Sequence, residues 1–222
     1  MTAGISATPS KASVAITPPG YHYRDAIRLL FILGLGSEPS GEGAGTVHIF
    51  RGEKRAMAID FLVRYPDYLA DELLSLYETE RDPDVLAAVQ GIFDASEPDV
   101  RLVRMVRWHR GAFQNIDTPL AILQSRHLIR TLRLAGRQRR HDFVVEPAAF
   151  SFMENVIDQQ PSLAWYKERT ELVMRLAGLR SGSSLKDDQY LHPEYKDAPL
   201  GTEIPSIQGR VLARLERLRG EA

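Results

Sequence analysis

Apolar residues along the chain recur mostly at helical spacing, with two intervals of strand-like alternation. The helical intervals predict helices over 21–35, 55–64, 66–77, 84–93, 118–127, 147–157, 161–179, 185–191 and 206–219. The pattern over 100–108 fits either type of element and favours a helix. Strands are predicted over 46–50 and 128–134, with 143–145 as the return strand. Gly- and Ser-rich residues 37–45 predict a flexible loop, and residues 1–20 a disordered tail.

Residues 118–157 combine these elements in the order helix, hairpin, helix. That is the order of a winged-helix unit, in which the helix before the hairpin is the recognition element and the hairpin is the wing. We therefore expect a mainly α fold with a small β-hairpin wing. The predicted organisation has three parts: the tail over 1–20, a helical and winged-helix-like domain over 21–160, and a C-terminal helical extension over 161–222.

The charge pattern adds two blocks to this picture. Net charge is only −1, but 67–99 holds ten acidic residues and one basic residue. Residues 101–141 hold ten arginines and one acidic residue. Adjacent segments of opposite sign suggest separate contact faces, and the alternative is that they neutralise each other within the fold.

Arginines on or near the predicted recognition helix and wing are candidates for contacts with nucleic acid. They are Arg126, Arg130, Arg133, Arg137, Arg139 and Arg140. Guanidinium groups suit phosphates because they are always charged and donate two parallel hydrogen bonds. The predicted recognition helix is rather apolar and offers few polar groups to base edges. The pattern therefore fits DNA-backbone binding or a protein interface better than sequence reading.

The last predicted helix carries a narrow apolar stripe. Ile207, Val211, Leu215 and Leu218 follow one another at intervals of four, four and three residues. Such spacing suits a partner helix as well as the parent domain. We take these residues as candidates for partner binding, with packing inside the chain as the alternative.

Residues that could carry catalysis are sparse. The chain has no cysteine, and none of its six histidines lies three or four residues from another. It also lacks the Gly-x-Ser-x-Gly elbow of many hydrolases. We predict no catalytic, cofactor or metal site, and Ser183 or Ser184 as a helix cap. A small hydrolase using dispersed residues such as His109 and His192 is the remaining enzyme hypothesis.

The cellular location is predicted from features that the sequence lacks. Lack of cysteine fits a reducing cytosol, and the N-terminal residues lack the apolar core of a signal peptide. The most apolar stretch, 26–35, is too short to span a bilayer. We expect a cytoplasmic protein with no membrane partner.

Several stretches, in their order and spacing, resemble the middle component of bacterial ABC-three-component defence systems, including Lamassu-like systems. The stretches are AIDFLVRYPDYLADEL (58–73), RMVRWHRGAF (104–113), LAILQSRHLI (120–129), LRSGSSLKDDQYLHPEY (179–195) and PLGTEI (199–204). The resemblance covers roughly 24–204. It implies a non-catalytic subunit that works with an SMC-like ABC ATPase and a separate effector, often a nuclease, against phage or plasmids.

The resemblance also implies structural rather than catalytic roles for its motif positions. These are Asp60, Tyr65, Pro66, Gly182, Leu185 and Lys186. The winged-helix parts of such subunits are similar to those of kleisin-associated SMC accessory proteins. The residues leave one alternative function open, a winged-helix DNA-binding transcription regulator. A regulator would require a two-fold dimer with recognition helices about 34 Å apart.

Overall fold

Helices form most of the chain, together with one small antiparallel sheet. The structure is a computed structural model that describes residues 19–41, 46–94, 106–107, 116–134, 140–178 and 180–221. The helices are Pro19–Leu35 (α1), Glu53–Arg64 (α2), Pro66–Glu80 (α3), Pro83–Asp94 (α4), Asp117–Ser125 (α5), Pro147–Gln159 (α6), Ala164–Ala177 (α7), Gly182–Gln189 (α8), Pro193–Lys196 (α9) and Gln208–Gly220 (α10). The strands are Glu38–Ser40 (β1), Val47–Phe50 (β2), Ile129–Leu134 (β3) and Arg140–Val145 (β4). The expected mainly α fold with a small β element is confirmed.

Two local predictions need correction. Residues 38–40, predicted as part of a flexible loop, form β1 and pair with β2 through Glu38↔Ile49 and Ser40↔Val47. The predicted helix over 100–108 fails at its described residues, because Val106 forms a bridge with Glu203 and the Arg107 amide donates to the Thr202 carbonyl at 2.8 Å. Residues 100–105 and 108 lie outside the described residues.

The predicted tail over 1–20 is wrong at Pro19 and Gly20, because α1 already begins at Pro19. Proline suits the first turn of a helix, where its missing N–H has no partner to lose. Residues 1–18 lie outside the described residues.

Helix α1 is the centre of the fold. It packs against α2, α5, α6 and α7, so its apolar residues from Leu29 to Leu33 are all buried, none more than 2% exposed. A helix that is apolar on every side must be enclosed by other elements. Its orientation therefore determines where the surrounding helices and the sheet lie.

The sheet has the order β1-β2-β4-β3, and every neighbouring pair is antiparallel. Phe50 and Phe143 are paired across β2 and β4 and are both buried in the core. Gly36, just after α1, allows this close approach, because a Cβ there would lie 2.6 Å from the Phe50 ring. The sheet is thereby held against the end of α1.

Four buried charged groups join α1 to α2. The Asp60 carboxylate accepts hydrogen bonds from Arg28 Nε at 2.6 Å and from Arg64 Nε at 2.8 Å. Arg28 also donates to Asp25 at 2.8 Å. Burial on its own raises the pKa of Asp60, but Arg28 and then Arg64 outweigh it and hold the pKa below the ordinary 3.8. Asp60 therefore stays ionised and bridges the two arginines.

Arg55 of α2 ties together the ends of two other helices. Its guanidinium donates to the Gly36 carbonyl at 3.1 Å and to the Gly178 carbonyl, which follow α1 and α7. It also lies over the Phe50 ring, 4.8 Å from the centroid. A cation suits this place because the carbonyls at helix C-termini carry partial negative charge.

The helices of the predicted C-terminal extension share the core of the preceding ones. Helix α7 packs on α1 and α2, α8 packs on α2, and α10 packs on α3 and α4. The apolar stripe of α10 faces this core: Ile207, Val211, Leu215 and Leu218 are each at most 3% exposed. The sequence left two roles open for the stripe, partner binding and packing inside the chain. The structure shows packing inside the chain. The prediction that these four residues bind a partner is corrected accordingly, because their surfaces are already covered.

We expect Asp60→Asn to lower the free energy of unfolding by about 3–5 kcal/mol, because it leaves two buried cations without their shared counter-charge. Urea unfolding at neutral pH measures the loss. Asp158→Asn, a matching change at an exposed position of α6, should stay within about 0.5 kcal/mol of the parent.

Comparing the parent protein with Asp60→Asn as the pH is lowered tests whether Asp60 is ionised. A carboxyl whose pKa is lowered on folding stabilises the fold above its unfolded pKa, and this stabilisation is lost as the pH falls below about 4. The parent should therefore lose stability more steeply in acid than Asp60→Asn does. Equal slopes would show that Asp60 is not the ionised bridge.

Gly182 supplies a second test, because it lies where α8 meets α2. A Cβ at Gly182 would lie 2.5 Å from the main-chain nitrogen of Arg55, whereas one at Gly91 in α4 has nothing within 4 Å. Gly182→Ala should lower the thermal midpoint. Gly91→Ala should raise stability by about 0.5–1 kcal/mol through helix propensity. A stabilised Gly182→Ala would contradict the close approach.

Candidate nucleic-acid and partner interface

Helix α5 and the hairpin β3–β4 are joined by a very short turn. His127 adopts a left-handed conformation with φ 56, and the Leu128 amide donates to the Leu123 carbonyl at 3.0 Å. The chain thus passes from the end of α5 into β3 within a few residues. We call α5, the hairpin and residues 146–148 the wing face.

The hairpin has a regular register. Ile129 pairs with Val145, and the pairing continues to Leu134 opposite Arg140. The Glu146 amide donates to the Leu128 carbonyl at 2.9 Å, which extends the ladder by one pair towards α6. The predicted strand over 128–134 and its return strand are confirmed, and the return strand begins earlier than predicted.

An open groove of about 860 Å³ lies on the wing face where α5 ends and α6 begins. Its walls come from three elements and are chemically mixed. The lining residues are Gln124, His127, Ile129, Arg130, Thr131, Glu146, Pro147 and Ala148. Gln124 donates a side-chain hydrogen bond to Thr131, which fixes one wall. The groove offers donors, acceptors and a short apolar wall rather than a purely basic surface.

The predicted nucleic-acid contacts are partly described. Arg126 is exposed at the end of α5 and forms no ion pair with any residue that the structure describes. Arg130 is also exposed, with 60% of its side chain accessible, but Nε donates to the Glu146 carboxylate. Its charge is therefore partly neutralised inside the face.

The other four arginines are placed only in part. Arg133 is opposite His141 and Arg140 is opposite Leu134 in the hairpin register, while their side chains are outside the description. Arg137 and Arg139 lie outside the described residues altogether. The structure thus brings Arg126 and Arg130 to the groove region and leaves the contribution of the wing tip as a prediction.

One arginine of the basic block has an internal role. Arg107 is 9% exposed, and its guanidinium lies 5.0 Å from the Tyr190 ring and 5.3 Å from the Tyr195 ring. It also donates to the Tyr190 hydroxyl at 3.1 Å. The basic block is therefore divided, with part of it inside the fold.

Two residues of the acidic block, Asp71 and Glu78, are paired with arginines of α10. Arg214 pairs with Asp71 and with Glu78, each at 2.7 Å, and Arg217 pairs with Glu78 at 2.9 Å. Hydrogen bonds from Arg214 lead the causes that hold the pKa of Glu78 below its ordinary value. Mutual neutralisation of the two charge blocks stays a prediction, because the structure describes the side chains of only Arg107, Arg126 and Arg130 in the basic block.

The positions that carry the resemblance all make contacts inside the fold. Tyr65 packs on Phe61 at 5.0 Å between ring centroids, and Leu185 is 3% exposed. Asp60 accepts from two arginines, and Pro66 begins α3. Gly182 lies against the Arg55 main chain, and the Lys186 ammonium lies 5.2 Å from the centre of the Tyr190 ring. Helix α8 is capped by Ser181, whose hydroxyl accepts from the Ser184 amide at 3.2 Å, rather than by Ser183 or Ser184.

His192 links the turn before α9 to α3. Its Nε2 lies 3.3 Å from a Glu72 oxygen, its Nδ1 lies 3.6 Å from an Asp71 oxygen, and its ring meets Tyr68 edge-on. His109 lies outside the described residues. No group of three or more His, Asp or Glu side chains in the described ranges is arranged to hold a metal ion.

Comparisons of the chain with models of protein families, with curated proteins and with solved structures find no match. In the portion of the chain that the structure covers, no helix combines the length and apolar character needed to cross a membrane.

We expect Glu146→Gln to strengthen binding of a labelled short DNA duplex, because Arg130 loses its internal counter-charge and becomes available to a phosphate. The slope of log K against log salt should steepen by about 1. Fluorescence anisotropy over a salt series measures both quantities. Glu154→Gln, an exposed change on α6, is the control. Unchanged or weaker affinity of Glu146→Gln would exclude Arg130 from the DNA contact.

Proposed function

We propose that the protein is a non-catalytic adaptor subunit of a bacterial defence complex directed against phage or plasmids. It links an SMC-like ABC ATPase to an effector, often a nuclease, and its winged-helix-like wing face contacts the DNA backbone. The proposal joins the sequence resemblance to the geometry of the wing face. It assigns the chain a binding role rather than a chemical one.

The observation that carries the proposal is the placement of α5 and the hairpin relative to β2. In a winged-helix unit the wing strands are joined by a strand from before the recognition helix. Here β2 pairs with β4, β4 pairs with β3, and α5 directly precedes β3. Helices α2, α3 and α4 are inserted between β2 and α5. This order supports a winged-helix-like unit within a larger helical protein.

The stretches that carry the resemblance also meet in space. Gln189 of α8 donates to the Ala58 carbonyl of α2 at 3.4 Å, and the Tyr195 ring meets Phe61 edge-on at 5.4 Å. Val106 and Glu203 connect the second and last stretches. Four of the five stretches are therefore parts of one packed unit, which is what the resemblance would require.

The available chemistry favours backbone contact over base reading. The exposed polar residues at the end of α5 are few: Gln124, Ser125, Arg126 and His127. Base edges require several directed donors and acceptors, whereas phosphates require only placed cations. A sequence-reading transcription regulator is correspondingly less well supported. An adaptor that holds DNA weakly and without sequence preference fits these residues better.

Affinity purification of the tagged chain, co-expressed with the products of its neighbouring genes, tests the adaptor role. We expect an ABC-type ATPase to co-purify at moderate salt in a defined ratio. The proposal fails if the neighbouring products include no such ATPase, or if one is expressed and does not co-purify.

The purified complex also tests the wing. Changing Arg137, Arg139 and Arg140 together to Glu should weaken duplex retention at least about tenfold while leaving the ATPase bound, since phosphate contacts supply non-specific affinity. A control with the same change in charge is K54E/K167E/K196E, at three exposed lysines. Equal DNA affinity in the two triple variants would exclude the wing tip.

A further inference from the structure

The two edges of the sheet are built differently. Strand β1 forms one edge with only three residues, and one of them is Pro39. Strand β3 forms the other edge with six residues, IRTLRL, and no proline. Short strands and prolines prevent further pairing at an edge, because they leave few donors for an incoming strand. Only the β3 edge is suited to accept another strand.

The register identifies which main-chain groups of β3 point away from β4. The Glu146 amide donates to the Leu128 carbonyl, so residues 128 and 146 are a hydrogen-bonded pair. Such pairs alternate along an antiparallel ladder. The main-chain groups of Arg130 and Leu132 therefore face β4, whereas those of Ile129, Thr131 and Arg133 face the free edge.

Accessibility limits where a ligand can reach this edge. Ile129 is 1% exposed, so its main chain is covered by the fold. Thr131 is partly exposed and lines the groove of about 860 Å³. The usable edge thus begins at Thr131 and runs towards the hairpin tip, with the groove as its entrance.

The edge requires a ligand that both donates and accepts hydrogen bonds. Each outward-facing residue presents one N–H and one C=O, and a peptide main chain matches both. DNA phosphates can only accept, so they leave the carbonyls unmatched. The exposed cations Arg126 and Arg130 beside the groove complement acidic side chains of such a peptide.

We propose that the β3 edge binds an extended acidic segment of a partner protein, which adds to the sheet as a further strand from Thr131 onwards. The inference rests on the proposed function only in taking a partner subunit as the source of the segment. A second copy of this chain fits less well, because β3 itself carries Arg130 and Arg133, and two basic strands repel each other. The DNA contact of the proposed function uses arginine side chains of the wing, whereas this site uses the outward main-chain groups of β3.

Thr131→Pro tests the edge selectively. It removes an N–H that faces outward and takes no part in the ladder with β4, so the fold should be retained. Thr131→Ala is the matched control, because it removes the side-chain contact with Gln124 and keeps the N–H. The probe is a labelled peptide of alternating Glu and Val, six residues long like β3. A peptide with Lys in place of Glu tests the charge requirement.

We expect the Glu peptide to bind the parent and Thr131→Ala within about threefold of each other, and Thr131→Pro at least about tenfold more weakly. In the parent, amide hydrogen exchange at Thr131 should slow when the Glu peptide is present. This measurement remains decisive if Thr131→Pro does not fold. The Lys peptide should neither bind nor protect Thr131.

Three results would overturn the inference: no binding of the Glu peptide, equal binding by Thr131→Pro in folded form, or protection of Thr131 by duplex DNA instead of the peptide. Each can occur while the ABC-type ATPase still co-purifies, in which case the proposed function stands. If the peptide binds as expected and no ATPase co-purifies, the proposed function fails and the edge site stands.

Discussion

The docking of α1 on α2 through the Asp60 carboxylate is the interaction on which the rest of the structure depends. A buried carboxylate between two arginines is costly to form, and losing it removes the counter-charge of Arg64, whereas Arg28 keeps Asp25. Apolar packing alone would allow α1 to rotate or slide against its neighbours. The directed hydrogen bond from Arg28 of α1 to Asp60 of α2 restricts it to one orientation, and Arg64, one turn after Asp60 in α2, holds the carboxylate in place. Because α5 and the sheet pack on α1, this orientation also positions the wing face.

The charge blocks take on a different meaning once the fold is known. Asp71 and Glu78 of α3 are matched by arginines of α10, which lie more than a hundred positions away in the chain. This pairing holds the last helix over its apolar stripe. Arg107 is enclosed by tyrosines, and Arg130 shares its charge with Glu146. Much of the apparent charge asymmetry therefore stabilises the fold, and only part of it is left for ligands.

The sequence predicts the helices well because each long apolar period has a clear repeat, and proline or an acidic cap marks several starts. Strand β1 was missed because its residues, EPS, show no apolar alternation and are placed by pairing with β2. The sequence could not show whether the apolar stripe of α10 packs inside the chain or binds another protein, since both uses require the same spacing. The groove escaped prediction because its walls meet only through the hairpin register and the left-handed turn at His127.

A wing face with two kinds of chemistry suits an adaptor better than a dedicated DNA reader. Cations near a hairpin tip attract any polyanion, and their contribution weakens as salt rises. An open strand edge instead recognises the regular donor and acceptor pattern of another main chain, which salt affects little. The two surfaces lie on the same hairpin, so a partner strand added at Thr131 would extend and stiffen the strand that leads to the tip. Occupancy of the edge would then favour the proposed contact with DNA, because a strand fixed on both sides loses less freedom when a ligand binds.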